Sequence, residues 1–254
     1  MSHSTTEHAH HWEVSWAPMV LTAGILFLVP LTFAAYFVYQ NELNAIIFAG
    51  IGTPLVLIGI SKWVSEGLTQ KPLLAGVSPS ALPFFIISEV FIFLGLFASY
   101  WTMRLSAGEN WPPAGTPEHM NLVLPLIMTV LLVGSSLTYH VAEHHLDHDN
   151  LGGFRSWLML TMLLGLLFLG CTIYEYHHLL GMNFGPSTNA YSSAFFSITG
   201  FHASHVIVGL GIFAAVLLPA FAGKTNKYFA FCAGLYWHFV DIVWFFVASQ
   251  VYYW

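Results

Sequence analysis

Seven stretches of the chain are long and apolar enough to cross a bilayer, where about 20 residues cover about 30 Å of hydrocarbon. They run over residues 17–39, 44–64, 82–103, 122–141, 154–176, 191–221 and 228–253. The second is interrupted by Gly50, Gly52 and Pro54, and Lys62 closes it. The sixth is long enough to tilt or to extend beyond the bilayer. KPLLAGVSPSALP (71–83) is too rich in Pro and Gly to be helical throughout, and a sharp reversal there would splay the first two helices from the other five. WPPAGTPEH (111–119) reads as a rigid, proline-set loop on the opposite side. The pattern predicts an all-α integral membrane protein: residues 1–64 with two helices, a connection over 65–81, and a five-helix part over 82–254.

Composition agrees. Charged residues make up 7% of the chain, against about 25% in soluble domains. The nine Trp suit rings that anchor helix ends at headgroup level. The net charge of −6, spread over loops, argues against nucleic acid as a partner. Lys62, Lys71, Arg155, Lys224 and Lys227 lie at or in loops on the side of the N-terminus, and Arg104 alone lies opposite. The positive-inside rule therefore puts the N-terminus in the cytoplasm and the C-terminal VYYW outside. MSHSTTEHAHHWE has no basic segment followed by a short apolar core and cleavage site, so insertion is expected to rely on the first membrane helix. Cys171 and Cys232 lack metal or redox spacing and read as packed thiols. AEHHLDHDN (142–150) reads as a solvated polar turn, with adventitious metal binding as the alternative.

Ionisable groups inside a membrane segment cost about 2.5–3.5 kcal/mol each on insertion scales, so Glu89, Glu175, His202, His205, His238 and Asp241 are candidate functional residues. Glu89 lies about 10 Å into its span at 1.5 Å per residue. The spacing of His202 with His205, and of His238 with Asp241, puts each pair on one helix face. Two adjacent spans would then build one polar seam, with Thr199 and Ser204 as local partners. Three readings stay open: interhelical fastening, haem or metal ligation, and a proton or ion pathway with Glu89 as its carboxyl. Against a four-helix di-iron site, which wants Glu-x-x-His on two of its helices, no second span repeats the spacing of Glu175 and His178.

The blocks FFIISEVFIFLG (84–95), NWPPAG (110–115), AFFSITGFHASHVIVG (194–209) and AGLYWHFVDIVWFFV (233–247) resemble subunit III of the haem-copper cytochrome c oxidases, over nearly the whole chain. SWAP (15–18) is similar to that family's entry to the first helix, and seven spans match its long form. The resemblance implies a two-helix and a five-helix bundle separated by a lipid-filled cleft. It also implies a subunit of an oxidoreductase complex with no catalytic centre of its own, and with haem and copper in partner subunits. Subunit I would be its main contact and subunit II a member of the same complex. Its implied role is to bind phospholipid and to support proton uptake and sustained turnover.

Glu89 and Glu175 resemble the family's intramembrane glutamates; His202, His205, His238 and Asp241 match its TGFH and WHFVD blocks as interhelical fastenings. Trp63, Glu66, Lys224 and Lys227 are the lipid-binding candidates, since basic residues near the cytoplasmic face attract anionic headgroups. The chain departs from the family in lacking a histidine-rich segment after the second span, and in having lysines rather than arginine near the sixth, without arginine's bidentate fork. The His-rich leader and compact loops point to a bacterial inner membrane rather than a mitochondrial one. Alternatives are an accessory subunit of a quinol oxidase, a haem-bearing electron-transfer subunit, and an independent proton channel or transporter.

Overall fold

The computed structural model describes residues 15–69, 78–117 and 122–252. The leader, Lys71 and the last two residues lie outside this range, as does part of the expected 65–81 connection. Among the described residues, seven helices are long and apolar enough to cross a membrane, and the chain is a multi-pass membrane protein. Two compact units divide it, Met1–Ala75 and Gly76–Trp254.

In the first unit α1 (Ala17–Leu26) runs on through π-helical turns over Phe27–Leu31 and Ala34–Val38. Pro30 sits in the first of these turns and has no N–H to donate. The Thr32 hydroxyl reaches back five residues to the Phe27 carbonyl at 2.8 Å. The chain reverses at Gln40, which has φ +48°. Asn41 then accepts from the Asn44 N–H at 3.0 Å at the start of α2 (Glu42–Thr69).

Contrary to the expected interruption, α2 is continuous through Gly50, Gly52 and Pro54, and Lys62 lies inside it. Gly50 faces open space, whereas Gly52 and Gly59 are contacts with α1. A Cβ on Gly52 would lie 2.5 Å from the Leu28 nitrogen, and one on Gly59 2.9 Å from the Leu21 backbone. The two lie seven residues apart on one face of α2, so α1 and α2 pack backbone to backbone, the geometry that small residues permit in membranes.

The second unit comprises α3 (Ser78–Ala107), α4 (Val123–Asp147), α5 (Leu151–Gly181), α6 (Ala190–Phe221) and α7 (Lys227–Val247), the last extended by a π-helical turn over Ala248–Tyr252. α3 starts within the stretch expected to be broken, with Pro79 in its first turn, where a missing N–H is tolerated. α4 likewise continues through AEHHLD, so only His148–Asn150 form the turn that had been expected from 142 onward. Asparagines set three helix starts through their side-chain oxygens: Asn150 accepts from Gly153 at 3.0 Å, Asn189 from Ser192 at 2.8 Å, and Asn226 from Phe229 at 3.1 Å. α6 has 32 residues, about 48 Å at 1.5 Å per residue, longer than the about 30 Å of hydrocarbon.

α7 is the most buried of the membrane helices, and it meets α4, α6 and α3. Trp237, 0% exposed, joins four helices. Its ring fits beside Gly209 of α6 and Gly165 of α5, and its indole N–H donates to Ser135 of α4 at 2.9 Å. Cys171 and Cys232 are free thiols, each only half-buried.

Candidate functional site

The intramembrane polar residues do not form a single seam. Among the described contacts, each set turns to a different helix. His205 of α6 reaches α3: its Nε2 lies 3.1 Å from Glu89 Oε2, and its Nδ1 lies 2.8 Å from the Phe201 carbonyl oxygen. That carbonyl can only accept, so Nδ1 carries a hydrogen. A bond between Nε2 and Glu89 then requires one further proton, on the imidazole or on the carboxyl. Either way the pair as a whole is neutral, which suits a site walled by Phe93, Tyr236 and Phe239.

His238 and Asp241 of α7 reach α4. Ser136 Oγ lies 2.9 Å from His238 Nδ1 and donates to Asp241 Oδ2. Asp241 is buried, and its other carboxylate oxygen has no hydrogen-bond partner among the described residues. Glu175 of α5 accepts from the Tyr252 hydroxyl at 2.6 Å, tying down the terminal π-helical turn. Beside it, Tyr176 Oη and Thr199 Oγ1 lie 2.7 Å apart and join α5 to α6. Thr199 also donates to the Phe195 carbonyl, and Ser204 turns back to the Phe201 carbonyl, so neither is the partner of its neighbouring histidine.

His202 is wholly buried with neither ring nitrogen hydrogen-bonded among the described residues. Its ring lies against Phe168 and Trp244, with centroids at 5.6 and 5.2 Å. His205, by contrast, has a partner at both nitrogens. Among the described residues no three His, Cys, Asp or Glu side chains converge to hold a metal ion.

The four lipid-binding candidates fall in both units. In the first, Trp63 is 54% exposed, whereas Glu66 is engaged: it accepts from Ser15 Oγ at 2.5 Å and pairs with Lys62 at 3.5 Å. Lys62 also lies over the Trp16 ring at 5.9 Å. In the second, Lys224 is exposed in the turn after α6. Lys227 pairs with Asp149 at 2.7 Å and donates to the Asp147 carbonyl at 3.3 Å. The Lys227 ammonium holds the Asp149 carboxyl below the usual aspartate range.

Several fastenings have no counterpart among the candidates read from sequence. Trp244 donates to Thr129 at 2.9 Å, Trp101 to Gln250 at 3.0 Å, and Tyr139 to the Ala230 carbonyl at 2.6 Å. The available signal was an indole or phenol inside a span, because such a group needs a hydrogen-bond partner when buried.

The profile of the family described as Cytochrome c oxidase subunit III matches residues 8–254. Cytochrome c oxidase subunit 3 of Synechocystis sp. is 38% identical over 172 residues, covering 66% of this chain and 72% of that protein. A protein described as probable cytochrome c oxidase subunit 3 in Nocardia farcinica is 38% identical over 169 residues, 65% of this chain and 82% of that one. The Osphranter robustus cytochrome c oxidase subunit 3 is 32% identical over 268 residues, covering 100% of this chain and 99% of its own. With a family profile running almost end to end, and a relative aligned along the full length, the chain belongs to the cytochrome c oxidase subunit III family.

Proposed function

We propose that this chain is the non-catalytic subunit III of an aerobic haem-copper cytochrome c oxidase. It packs on subunit I in a complex that also holds subunit II, binds phospholipid, and supports proton uptake and sustained turnover. Haem and copper reside in the partners. The N-terminus faces the cytoplasm and the C-terminus the periplasm of a bacterial inner membrane, in keeping with the distribution of basic residues.

The observation that carries this reading is the use made of the intramembrane polar groups. Glu89 with His205, Glu175 with Tyr252, and Ser136 with His238 and Asp241 each connect two segments of the five-helix unit. Such bonds fit a scaffold better than a redox centre. For lipid, exposed Trp63 and Lys224 are the better candidates, because Glu66 and Lys227 already have protein partners.

The test strips this chain from the gently purified complex and records reduced-minus-oxidised visible spectra of both fractions, together with oxygen consumption over many turnovers. Haem bands should stay with the partners, with initial activity kept and proton uptake or durability impaired. Haem travelling with this chain, or unchanged uptake and persistence without it, would overturn the assignment.

A further inference from the structure

Along α4, Asp147, Glu143, His140 and Ser136 follow one another at spacings of four, three and four residues, which puts them on one face. The facing stripe of α7 carries Lys227, Phe231, Gly234, His238 and Asp241 at the same helical spacing. Near the α4–α5 turn the two faces do not close on each other. A hollow of about 290 Å³ lies between them, lined among others by His140, Glu143, Asp147 and Lys227. A Cβ on Gly234 would run into the Tyr139 ring and lie 3.0 Å from Glu143 Oε1, so the glycine admits the Tyr139 ring and leaves the Glu143 carboxylate beside it against α7. His140 is coupled electrostatically to both Glu143 and His238. His238 leads through Ser136 to Asp241, which is 5% exposed and keeps one buried oxygen without a protein donor among the described residues.

We propose that the α4–α7 seam is a hydrated proton inlet, running from the aqueous edge at Asp147 and Lys227, past Glu143 and His140, to Asp241. The hollow is large and polar enough for water, which needs about two to four polar partners. Water entering from it supplies the donor that Asp241 Oδ1 lacks.

A proton taken from the aqueous phase passes along these N–H and O–H groups. Each group accepts one proton and releases one, and the last proton binds the Asp241 carboxylate. Only the proton's charge moves, and no oxidant or reductant takes part.

The path ends at Asp241. One turn further on, Trp244 closes the seam by its bond to Thr129 at 2.9 Å. The arrangement is therefore an inlet and not a pore, and it holds one buried carboxyl in equilibrium with a single aqueous phase. Of the other titratable groups around α7, Tyr139 of α4 donates to the Ala230 carbonyl at 2.6 Å and His144 of α4 lines the same hollow. His205 of α6 is bonded to Glu89 of α3, His202 of α6 is enclosed by Phe168 and Trp244, and Glu175 of α5 is bonded to Tyr252.

The experiment uses the full chain in its native membrane complex. Infrared spectra of the wild type minus those of Asp241→Asn isolate the Asp241 carboxyl band, and transfer into D2O measures how fast it exchanges. Exchange is expected to be rapid in the wild type. His140→Leu should slow it on the order of 10²-fold, the usual effect of losing a positioned proton carrier, while Glu175→Gln should leave it unchanged. Equal slowing by Glu175→Gln would mean that exchange requires general opening of the bundle, and the inlet would be refuted; so would an unaltered rate in His140→Leu.

A second measurement does not depend on Asp241→Asn assembling. With Cys171 and Cys232 replaced by serine, a small water-soluble thiol reagent should label Ser136→Cys and spare Ser135→Cys, whose position is closed by Trp237. Equal inertness of the two cysteines would refute a hydrated seam.

Discussion

Replacing Gly209 by alanine puts a methyl group into space held by the Trp237 indole. The added Cβ would lie 2.7 Å from Cε3 and 2.8 Å from Cζ3, where carbon atoms ordinarily stand about 3.5–4.0 Å apart. Restoring that separation moves the ring by about 0.8 Å or more. The ring has nowhere to go: its far edge abuts Gly165, where a Cβ would meet Cη2 at 2.9 Å, and its N–H is held by Ser135. Overpacking of this kind costs about 1–3 kcal/mol.

The assay is reversible unfolding of the purified chain in mixed micelles, read as a free-energy difference between wild type and Gly209→Ala. The decisive form is a double-mutant cycle with Trp237→Leu, which removes the clashing ring. Alanine at 209 should then cost much less, with a coupling of about 0.5–3 kcal/mol. A neutral Gly209→Ala, or strict additivity with Trp237→Leu, would refute the idea that this glycine exists to admit the indole.

Further outcomes are expected elsewhere. Glu89→Ala leaves His205 Nε2 without its partner and should destabilise the five-helix unit by about 1–2 kcal/mol, with Glu89→Gln milder; equal effects of the two in the same unfolding assay would mean that the hydrogen bond is immaterial. Tyr252→Phe should cost about 0.6 kcal/mol, up to about 1.7, and loosen the terminal turn, seen as faster carboxypeptidase trimming. Gly59→Leu should separate α1 from α2, detected as loss of a cross-link between cysteines placed at exposed Met19 and Ile60. The Asp149 carboxyl is held below its unfolded value of about 3.9, so its pairing with Lys227 contributes above that pH and is lost as pH falls through the lower folded value. An acid titration at low salt should therefore show Lys227→Met differing from wild type near neutrality and converging with it in acid.

The existence and order of the helices were legible because a run of apolar residues of bilayer length has few other uses. Their ends were less so. AEHHLD looks like a loop by composition, yet polar side chains at the aqueous end of a membrane helix are hydrated without leaving the helix. Gly50, Gly52 and Pro54 suggested a broken second span, whereas in a membrane an intact helix is favoured by the lack of water to satisfy free backbone groups.

The ionisable residues themselves were identifiable from their cost in lipid. Their partners were not. Spacing along one helix cannot foresee that His205 meets Glu89, 116 residues earlier, or that Glu175 meets Tyr252, 77 residues later. Ser136 was overlooked because a lone serine in a membrane span usually satisfies itself on its own backbone.

The close packing of α1 on α2 bears on biosynthesis. Because Gly24, Gly52 and Gly59 let the two helices meet directly, everything needed to close this hairpin is encoded before residue 70. A ribosome feeding the translocon can therefore release α1 and α2 into lipid as one finished insertion unit while the downstream spans are still unmade. A bulky residue at any of the three glycines would surface first as a defect in that early handover, with nascent chains stalled or degraded before the remaining helices are synthesised.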